Sequence, residues 1–319
     1  MLNTSKLKAV LLMGPTATGK TDLGLKLANS YPIEIISVDS ALIYKDMNIG
    51  TAKPSKDELS SVPHHLIDII TPLDKYSVAE FIQTTINLIE GINNRQKIPV
   101  LIGGTMMYYN GLINGMSILP ASNLEVRTKI EQMALEKGLD KLYDELITVD
   151  PTAAAKINSH DKQRISRALE VYYLTGTTIS QLQSANKINQ ASHIEFLPIS
   201  IIPNQRNILH DRIENRFLKM IADGFIEEVE DLIVKYPTLN INHQSMRSVG
   251  YFQAFKYLSG ELNFTQFQEQ GIFATRQLAK RQITWLRSLN TTNIANDSLN
   301  FNYLYNNLIR LINSSLIDI

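Results

Sequence analysis

The amino-acid sequence predicts an α/β protein that consists of a parallel sheet core and an all-helical insertion. Over the first hundred residues, short apolar runs alternate with helical patterns, which is typical of a parallel sheet covered by helices on both faces. Strand patterns then disappear between residues 120 and 192, where helix-capping patterns recur. We therefore predict a first part of the core at residues 1–119, the insertion at residues 120–192, and core completion with C-terminal helices at residues 193–319.

Four apolar runs are the predicted strands of the core. They cover residues 9–13, 33–39, 100–103 and 197–202, and a helix is predicted at residues 21–29. The first run is too short to span a membrane and no cleavable small-residue site follows it, so we interpret it as a buried strand. Helices are predicted to dominate from Pro203 to the C-terminus.

Capping patterns locate the helices of the insertion. Ser122 followed by Glu125 fits a capping box, and Asp150 before Pro151 fits an N-cap with proline at the first helical position. Asp161 is the predicted N-cap of a further helix that ends near residue 176. The apolar stripe of this helix consists of Ile165, Ala168, Leu169 and Tyr172, while Arg164 and Arg167 share another face.

The composition excludes several classes of protein. The chain is 44% hydrophobic and 19% charged, which is ordinary for a folded protein and too apolar for a disordered one. Its 31 basic residues balance 31 acidic ones, so any RNA must be bound by local patches rather than by a global field. The absence of cysteine excludes disulfides, thiolate metal sites and cysteine nucleophiles, and it suits a reducing compartment, so we expect the cytoplasm.

A phosphate-binding loop occupies residues 14–21. Its sequence, GPTATGKT, satisfies the pattern GxxxxGK followed by Ser or Thr, and it lies between a predicted strand and a predicted helix, as the pattern requires. Backbone N–H groups of such a loop surround phosphate oxygens, Lys20 adds a positive charge, and Thr21 can bind Mg²⁺. The predicted diphosphate-binding residues are Gly14, Pro15, Thr16, Ala17, Thr18, Gly19, Lys20 and Thr21.

The loop alone does not identify a reaction, because kinases, NTPases and other phosphate-binding enzymes share it. The strand at residues 33–39 ends in Asp39, which fits the Mg²⁺-associated aspartate of ATPases as well as a general base. Gly103 stands where an ATPase could carry an acidic residue, which weakens the kinase interpretation slightly. A small-molecule kinase and a non-enzymatic RNA-binding module are therefore alternatives to an enzyme that binds a diphosphate in the loop and transfers another group.

Long motifs follow one another along the rest of the chain. They are DSALIY at 39–44, GTAKP at 50–54, PHHLID at 63–68, GGT at 103–105, QRISR at 163–167, MRSVGY at 246–251 and ATRQLAKRQITWLR at 274–287. With these motifs the sequence resembles the tRNA dimethylallyltransferases over residues 9–287, whereas nothing after Ser288 matches. The bacterial type is the better comparison, since the zinc finger of some eukaryotic members needs cysteines that this chain lacks.

The resemblance implies a P-loop NTPase-like core and the transfer of a dimethylallyl group from dimethylallyl diphosphate to tRNA. The acceptor would be N6 of the adenosine on the 3′ side of the anticodon, and the products would be N6-isopentenyladenosine and diphosphate. It also implies Mg²⁺ as cofactor, tRNA and dimethylallyl diphosphate as partners, no membrane association, and action as a monomer. A sister enzyme that acts on free adenine nucleotide is an alternative, but it would have no anticodon stem for the insertion to embrace.

The resemblance further assigns roles at the reaction centre. Asp39 would accept a proton from the adenine amine, Thr105 would orient the adenosine or the diphosphate, and Lys20 would stabilise the leaving diphosphate. Arg212 and Arg216 lie on one basic helix face, and either could reach the diphosphate. From the pattern alone, that face would be a solvated surface and Thr105 a helix N-cap.

A larger set of residues would contact tRNA. It consists of Asp39, Ser40, Ala41, Leu42, Thr105, Arg127, Gln163, Arg164, Ile165, Ser166, Arg167, Arg247, Arg276 and Lys280. The match of Arg127 is one of position only, whereas Arg276 and Lys280 share a basic helix face that suits RNA phosphates.

Two further groups of residues have a simpler interpretation. Trp285, Tyr108 and Tyr109 could stack a base, but core packing is the expectation for each of them. The adjacent His64 and His65 point apart and lack a third ligand at suitable spacing, so we interpret them as structural.

Overall fold

The computed structural model describes residues 7–185, 187–295 and 299–316, and the chain forms two compact units. The first unit combines Met1–Ile113 with Ala191–Ile319, and the second is Asn114–Gln190. The strands are β1 (Leu7–Met13), β2 (Ile33–Val38), β3 (His64–His65), β4 (Ile98–Gly103), β5 (Met116–Ser117), β6 (Lys187–Ile188), β7 (Ile194–Ser200) and β8 (Thr292–Asn293).

Helices make up most of the remaining chain. They are α1 (Lys20–Ala28), α2 (Lys56–Ser61), α3 (Val78–Asn94), α4 (Met106–Asn114), α5 (Leu124–Lys137), α6 (Leu139–Val149), α7 (Pro151–Ala154), α8 (Lys162–Thr175), α9 (Ile179–Ala185), α10 (Arg206–Ala222), α11 (Phe225–Lys235), α12 (Tyr251–Leu258), α13 (Phe264–Leu286), α14 (Phe301–Leu316) and a 3-10 helix at Ser245–Arg247. Among the residues that the structure describes, none of these helices is both long and apolar enough to cross a membrane.

Six parallel strands form the sheet of the first unit, in the order β3-β2-β4-β1-β7-β8. The β1 side chains from Ala9 to Met13 are at most 1% exposed, because both faces of a parallel sheet are covered by helices. The α/β fold predicted from the sequence is therefore confirmed. The predicted strands match β1, β2, β4 and β7, with ends that differ by at most three residues.

The chain after Ser288, which carries no recognisable motif, completes the first unit. β8 pairs in parallel with β7 at one edge of the sheet. α14 buries Leu304, Leu308 and Ile312 in the hydrophobic cluster that also contains Leu23 of α1. This segment therefore has a structural role, since it covers apolar surface on the same face of the sheet as α1.

The second unit is mainly helical, with helices α5 to α9 between two very short strands. β5 and β6 pair in an antiparallel ribbon, in which Met116 lies opposite Ile188. The core contains Ile130, Leu146 and Leu169, which are almost fully buried. The predicted all-helical insertion at residues 120–192 did not include this ribbon, because two-residue strands carry too little alternation to be recognised in a sequence.

Helix caps in the second unit test the local predictions. Asp150 and Asp161 are confirmed as the N-caps of α7 and α8. The capping box predicted at Ser122 is wrong, since Asn123 is the N-cap of α5. The Ser122 hydroxyl instead donates a 3.0 Å hydrogen bond to the buried carboxylate of Glu170, a long-range contact that a local pattern cannot indicate.

Candidate active site

Three loops of the first unit meet at the carboxyl edge of the sheet. β1, β2 and β4 are neighbours, and the phosphate loop, residues 39–42 and residues 103–105 follow them. Because parallel strands end at the same edge, these loops surround one cavity of about 470 Å³. The predicted site residues that line it are Thr16, Ala17, Lys20, Thr21, Asp39, Ser40, Ala41, Leu42, Thr105, Arg216 and Arg247.

The phosphate loop has the backbone geometry of an anion site. Gly19 has a φ of 84°, in the left-handed region that favours glycine, and it precedes the first residue of α1. Gly19 provides no side-chain cap, so the first-turn N–H groups of α1 can donate to an anion. The Thr18 hydroxyl closes the turn by donating to the carbonyl oxygen of Pro15 at 2.8 Å.

Lys20 is a buried lysine whose Nζ is bonded to neutral oxygens. It donates to the carbonyl oxygen of Pro15 at 2.6 Å and to Oγ1 of Thr18 at 3.5 Å. Burial, and to a lesser degree the charge of Arg216, lowers the pKa of Lys20 to about 7, although Asp39 acts in the opposite direction. A bound anion would stabilise the charged form of this side chain.

Asp39 and Thr105 are held close together at the ends of β2 and β4. Oδ1 of Asp39 accepts a hydrogen bond from the N–H of Ala41 at 2.8 Å, which orients the carboxylate. Oγ1 of Thr105 accepts from the N–H of Ser40 at 3.0 Å, and the N–H of Thr105 donates to the carbonyl oxygen of Val38 at 3.1 Å. The Thr105 hydroxyl therefore connects the two loops, and Thr105 also directly precedes the first residue of α4, the position that its sequence pattern favours.

The two arginines between which the sequence could not decide lie differently on α10. Arg216 is half-buried and lines the cavity, and burial lowers its pKa despite the opposing charges of Asp39 and Asp22. Arg212 instead donates through Nη2 to the carbonyl oxygen of Leu299 at 3.1 Å. Arg216 is therefore the one that lines the cavity, although Nη1 of Arg212 also lies near the phosphate loop, 4.0 Å from the place of a Cβ on Gly19.

One wall of the cavity belongs to the GTAKP motif, for which the sequence suggested no role. Residues 50–52 line the cavity. The carboxylate of Glu228 on α11 accepts from the N–H groups of residues 48, 49 and 50 at 2.8, 2.6 and 3.2 Å. It also accepts from the hydroxyl of Tyr251, another lining residue, at 2.5 Å. Hydrogen bonds to a carboxylate are strong, so Glu228 fixes this wall.

α13 contributes cavity residues that the sequence did not single out. Arg281 and Gln282 line the cavity, and neither was among the predicted site residues. Trp285 also lines it and is 40% exposed, so the expectation of core packing is wrong for this residue. The same expectation is confirmed for Tyr108 and Tyr109, which are 2% and 0% exposed.

The Thr21 hydroxyl of the cavity could hold a magnesium ion together with the oxygens of a phosphate ligand. Within the described parts of the chain, no group of three or more histidine, aspartate or glutamate side chains could hold a metal ion. Thr21, whose side chain is exposed, lines the cavity beside the phosphate loop. Mg²⁺ commonly takes few protein ligands and completes its shell with phosphate oxygens and water, so a single hydroxyl at this place suits it.

The adjacent histidines bond to protein groups, as expected of structural residues. Nδ1 of His64 lies 2.8 Å from the carbonyl oxygen of Val62, and Nε2 of His65 lies 2.7 Å from the carboxylate of Glu34. Burial lowers the pKa of His64. Both rings therefore support the β3 edge of the sheet.

Basic residues of the first unit that were predicted to contact tRNA differ in their availability. Arg276 forms a 2.6 Å ion pair with Glu214 and is partly buried. Lys280 and Arg247 are exposed, and Arg247 also lines the cavity. The predicted basic face of α13 therefore offers less positive charge to RNA, because the charge of Arg276 is neutralised by Glu214.

In the second unit, two of the predicted arginines share one buried carboxylate. Arg127 and Arg167 contact Glu170 at 3.0 and 2.6 Å, and the Glu170 side chain is 1% exposed. Among the described residues, Arg164 forms an ion pair with Asp161 of its own helix turn alone, at 3.3 Å, and its side chain is 67% exposed. Arg164 is therefore the most available of the three for a ligand.

The remaining residues of the QRISR motif have mixed positions. Gln163 is exposed, whereas Ile165 is fully buried in the core of the second unit. The Ser166 hydroxyl is also buried. The Ile165 side chain thus has no surface left for a contact with RNA, because the apolar stripe of α8 takes it into the core.

Comparison with known proteins places the chain in a family. A sequence model of the family described as IPP transferase matches residues 42–289. A tRNA dimethylallyltransferase of Legionella pneumophila strain Lens is 52% identical over 276 residues, which cover 86% of this chain and 87% of the relative. One from Chromobacterium violaceum is 48% identical over 282 residues, which cover 88% of this chain and 86% of the relative.

Solved structures agree with the sequence relatives. The tRNA isopentenylpyrophosphate transferase of Bacillus halodurans is similar with a TM-score of 0.70 and 33% identity, over 98% of both chains. A eukaryotic dimethylallyltransferase, solved while acting on tRNA, is similar with a TM-score of 0.81 and 26% identity, over 98% of this chain and 80% of the other.

Proposed function

Because the chain belongs to the IPP transferase family, we propose that it transfers a dimethylallyl group from dimethylallyl diphosphate to tRNA. The acceptor is N6 of the adenosine on the 3′ side of the anticodon, and the products are N6-isopentenyladenosine and diphosphate. The observation that carries the proposal is that the phosphate loop, Asp39 and Thr105 open into one cavity. A diphosphate donor and an adenine amine can therefore meet in a single site.

The phosphate loop suits a donor that leaves its diphosphate behind. When the C–O bond of the donor breaks, the electron pair stays on the diphosphate oxygen, so negative charge grows in the loop. Lys20 and Arg216 present cations to that position, and the N-terminus of α1 adds its N–H groups. These groups stabilise the transition state more than the bound donor, which is the condition for catalysis. Mg²⁺ bound by the Thr21 hydroxyl and the diphosphate would add further positive charge there.

Asp39 is suited to remove the proton from the acceptor. As the N–C bond forms and the C–O bond breaks, the N6 amine acquires positive charge and must lose one proton. The Asp39 carboxylate accepts it, while the Thr105 hydroxyl, held by the N–H of Ser40, orients the amine. The carboxylate itself is oriented by the N–H of Ala41 at 2.8 Å.

Each unit has basic residues with which to bind tRNA phosphates. In the first unit these are Arg247 and Lys280, and in the second they are Arg164 and Arg167. Such contacts fix the position of the RNA and carry little base specificity. We further propose that the protein acts as a monomer, which light scattering during size-exclusion chromatography would test.

The alternatives leave parts of the site without a use. A small-molecule kinase would need ATP and a hydroxyl acceptor, and it would have no role for the second unit with Arg164 on its surface. An enzyme for free adenine nucleotide would likewise not need that unit. A non-enzymatic RNA-binding module would leave the buried Lys20 and the phosphate loop without a ligand. The family match favours the tRNA-modifying transferase over all three.

A transfer assay with purified protein tests the proposal. Labelled dimethylallyl diphosphate, Mg²⁺ and tRNA without ATP should give labelled tRNA and an equal amount of diphosphate. A tRNA that carries another base at the acceptor position is the matched control and should remain unlabelled. Phosphorylation of a metabolite from ATP without prenyl transfer would favour the kinase, and transfer to free adenylate but not to tRNA would favour the sister enzyme.

A further inference from the structure

A glutamine side chain joins the two loops that would hold the donor and orient the acceptor. Gln282 lies near the end of α13 and is 9% exposed. Its Oε1 accepts from the N–H of Thr16 in the phosphate loop at 3.0 Å, and its Nε2 donates to the carbonyl oxygen of Gly104 at 2.9 Å. Both ends of one amide are thus bonded to the main chain of two separate loops.

The orientation of this amide is determined by its partners. A backbone N–H only donates and a backbone carbonyl only accepts, so Oε1 must face Thr16 and Nε2 must face Gly104. The fit is tight, because a Cβ added at Gly104 would lie 2.3 Å from Nε2 and 3.4 Å from the carbonyl oxygen of Gly14. A side chain at position 104 would therefore displace the amide.

The sheet alone does not hold these loops together. The last paired residues of β1 and β4 are Met13 and Gly103, and the ladder ends there. Beyond that point, the phosphate loop and the segment that carries Thr105 depend on other contacts for their separation. Gln282 supplies two hydrogen bonds directly after the end of the ladder, from a third element of the fold.

We propose that Gln282 is a positioning residue that sets the distance between the phosphate loop and Thr105 for the transfer step. This inference rests on the proposed function, in which one loop binds the leaving diphosphate and the other orients the acceptor amine. An error in their separation would misalign the forming N–C bond, and a displacement of about 1 Å can cost on the order of 100-fold in rate. Binding of either substrate alone should change much less.

Two substitutions and one control separate positioning from packing. Gln282→Met keeps the length of the side chain and removes both hydrogen bonds. Gln282→Glu keeps the acceptor for Thr16, but it places a carboxylate against the carbonyl oxygen of Gly104. A protonated carboxyl group can donate to that oxygen, so acid should restore the original pattern of bonds. Gln270→Glu is the matched control, because Gln270 is an exposed glutamine on the same helix.

Single-turnover transfer at saturating substrates measures the step itself. Gln282→Met should be roughly 10- to 100-fold slower than wild type, with the affinity for either substrate changed by no more than about threefold. Gln270→Glu should match wild type. The ratio of the Gln282→Glu rate to the wild-type rate should rise as the pH falls, whereas the ratio for Gln282→Met should stay constant.

Hydrogen exchange gives a readout that needs no activity. In Gln282→Met, the amides of residues 14, 16–19 and 103–107 should exchange faster, because the two loops lose their connection. Residues 48–50, whose N–H groups donate to Glu228, should exchange as in wild type. Thermal melting of each variant shows whether the chain is folded.

The outcomes distinguish the inference from the function on which it rests. A wild-type protein that does not prenylate tRNA would contradict the proposed function, and the exchange experiment would still decide whether Gln282 connects the loops. With an active wild type, an unchanged Gln282→Met rate or a Gln282→Glu ratio insensitive to pH would overturn the positioning role. A loss confined to the affinity for one substrate would overturn it too, since Gln282 would then be a binding residue.

Discussion

The basic side chains of the two units are held in different ways. In the first unit, Lys20 and Arg216 face the cavity, and no salt bridge involves either of them within the described residues. In the second unit, Arg127 and Arg167 are both bonded to the buried carboxylate of Glu170. The first arrangement leaves positive charge for a ligand, whereas the second uses much of its charge inside the protein.

This difference separates residues suited to chemistry from residues suited to binding. Burial of a cation without a counter-ion is unfavourable and lowers its pKa, as the value of about 7 for Lys20 illustrates. An anionic ligand relieves this cost, and a transition state with more negative charge relieves it further. A paired arginine keeps only its remaining N–H donors for RNA, which suits phosphate contacts of modest individual strength.

The largest expected effect comes from removing the buried charge of the first unit. Lys20→Ala should lose about 3 kcal/mol of transition-state stabilisation, which corresponds to a fall in kcat/KM on the order of 100-fold or more. Lys26→Ala is the control, because Lys26 is an exposed lysine on the same helix. Steady-state transfer kinetics measure both variants. A near-normal rate for Lys20→Ala would exclude the residue from the mechanism and remove the contrast between the units.

A similar loss, with a different cause, is expected at the carboxylate of the cavity. Asp39→Asn keeps the size and a hydrogen-bond acceptor but cannot take the proton, so turnover should fall by roughly 100-fold with donor affinity little altered. A Mg²⁺ titration in single-turnover assays checks the cause. Recovery of the rate at high Mg²⁺, together with weakened diphosphate binding, would show that Asp39 is chiefly a metal ligand, as in ATPases.

Two matched substitutions on α10 test which of its arginines acts on the ligand of the first unit. Arg216→Ala should lose about 2 kcal/mol of transition-state stabilisation, because its guanidinium faces the cavity. Arg212→Ala should have the smaller effect of the two, since Arg212 does not line the cavity and its Nη2 bonds to the carbonyl oxygen of Leu299. The kcat/KM for the donor measures both variants. The reverse order of effects would mean that Arg212 reaches the diphosphate when substrate binds.

The smallest effects are expected in the second unit, where the two arginines should behave differently. Arg164→Ala should raise the tRNA KM and reduce the salt slope of binding by about 0.9, with an unchanged melting temperature. Arg167→Ala should also lower the melting temperature, because buried Glu170 loses a partner. Binding of tRNA at several salt concentrations measures the salt slope, and scanning calorimetry measures the melting temperature. If a variant with both Arg164→Ala and Arg167→Ala kept the wild-type KM for tRNA and the wild-type salt slope, the second unit would not bind tRNA through these residues.

Local patterns explain why the core of the first unit could be predicted from the sequence. β1, β2 and β4 are apolar runs, and the phosphate loop has a fixed spacing between a strand and a helix. Once these strands are known to be parallel, their following loops must meet at one edge. The proximity of Lys20, Asp39 and Thr105 is therefore implied by the order of elements, without any knowledge of side-chain contacts.

Contacts between distant segments explain what the sequence did not predict. Ser122 satisfies a local capping pattern, but its hydroxyl bonds to Glu170, which lies 48 residues further along the chain. Arg212 and Arg216 are one helical turn apart, so the sequence places them on the same face. Only the packing of α10 shows which of the two guanidinium groups faces the cavity.

Gln282 is a case in which the sequence contained a usable signal. It lies three residues after Ala279 and four before Leu286, both of which are buried, so it belongs to the apolar stripe of α13. A polar side chain in such a stripe needs partners within the protein. Its two partners, Thr16 and Gly104, could not be identified from the sequence, because they come from loops far away along the chain.

The most direct test of the central claim is the nucleoside composition of tRNA from cells that lack the gene. Mass spectrometry of digested bulk tRNA should show that N6-isopentenyladenosine and its derivatives are absent. They should return when the wild-type gene is supplied, and far less when the Asp39→Asn variant replaces it. Unchanged amounts of the modified nucleoside in the deletion strain, with no second enzyme of this family in the genome, would contradict the account.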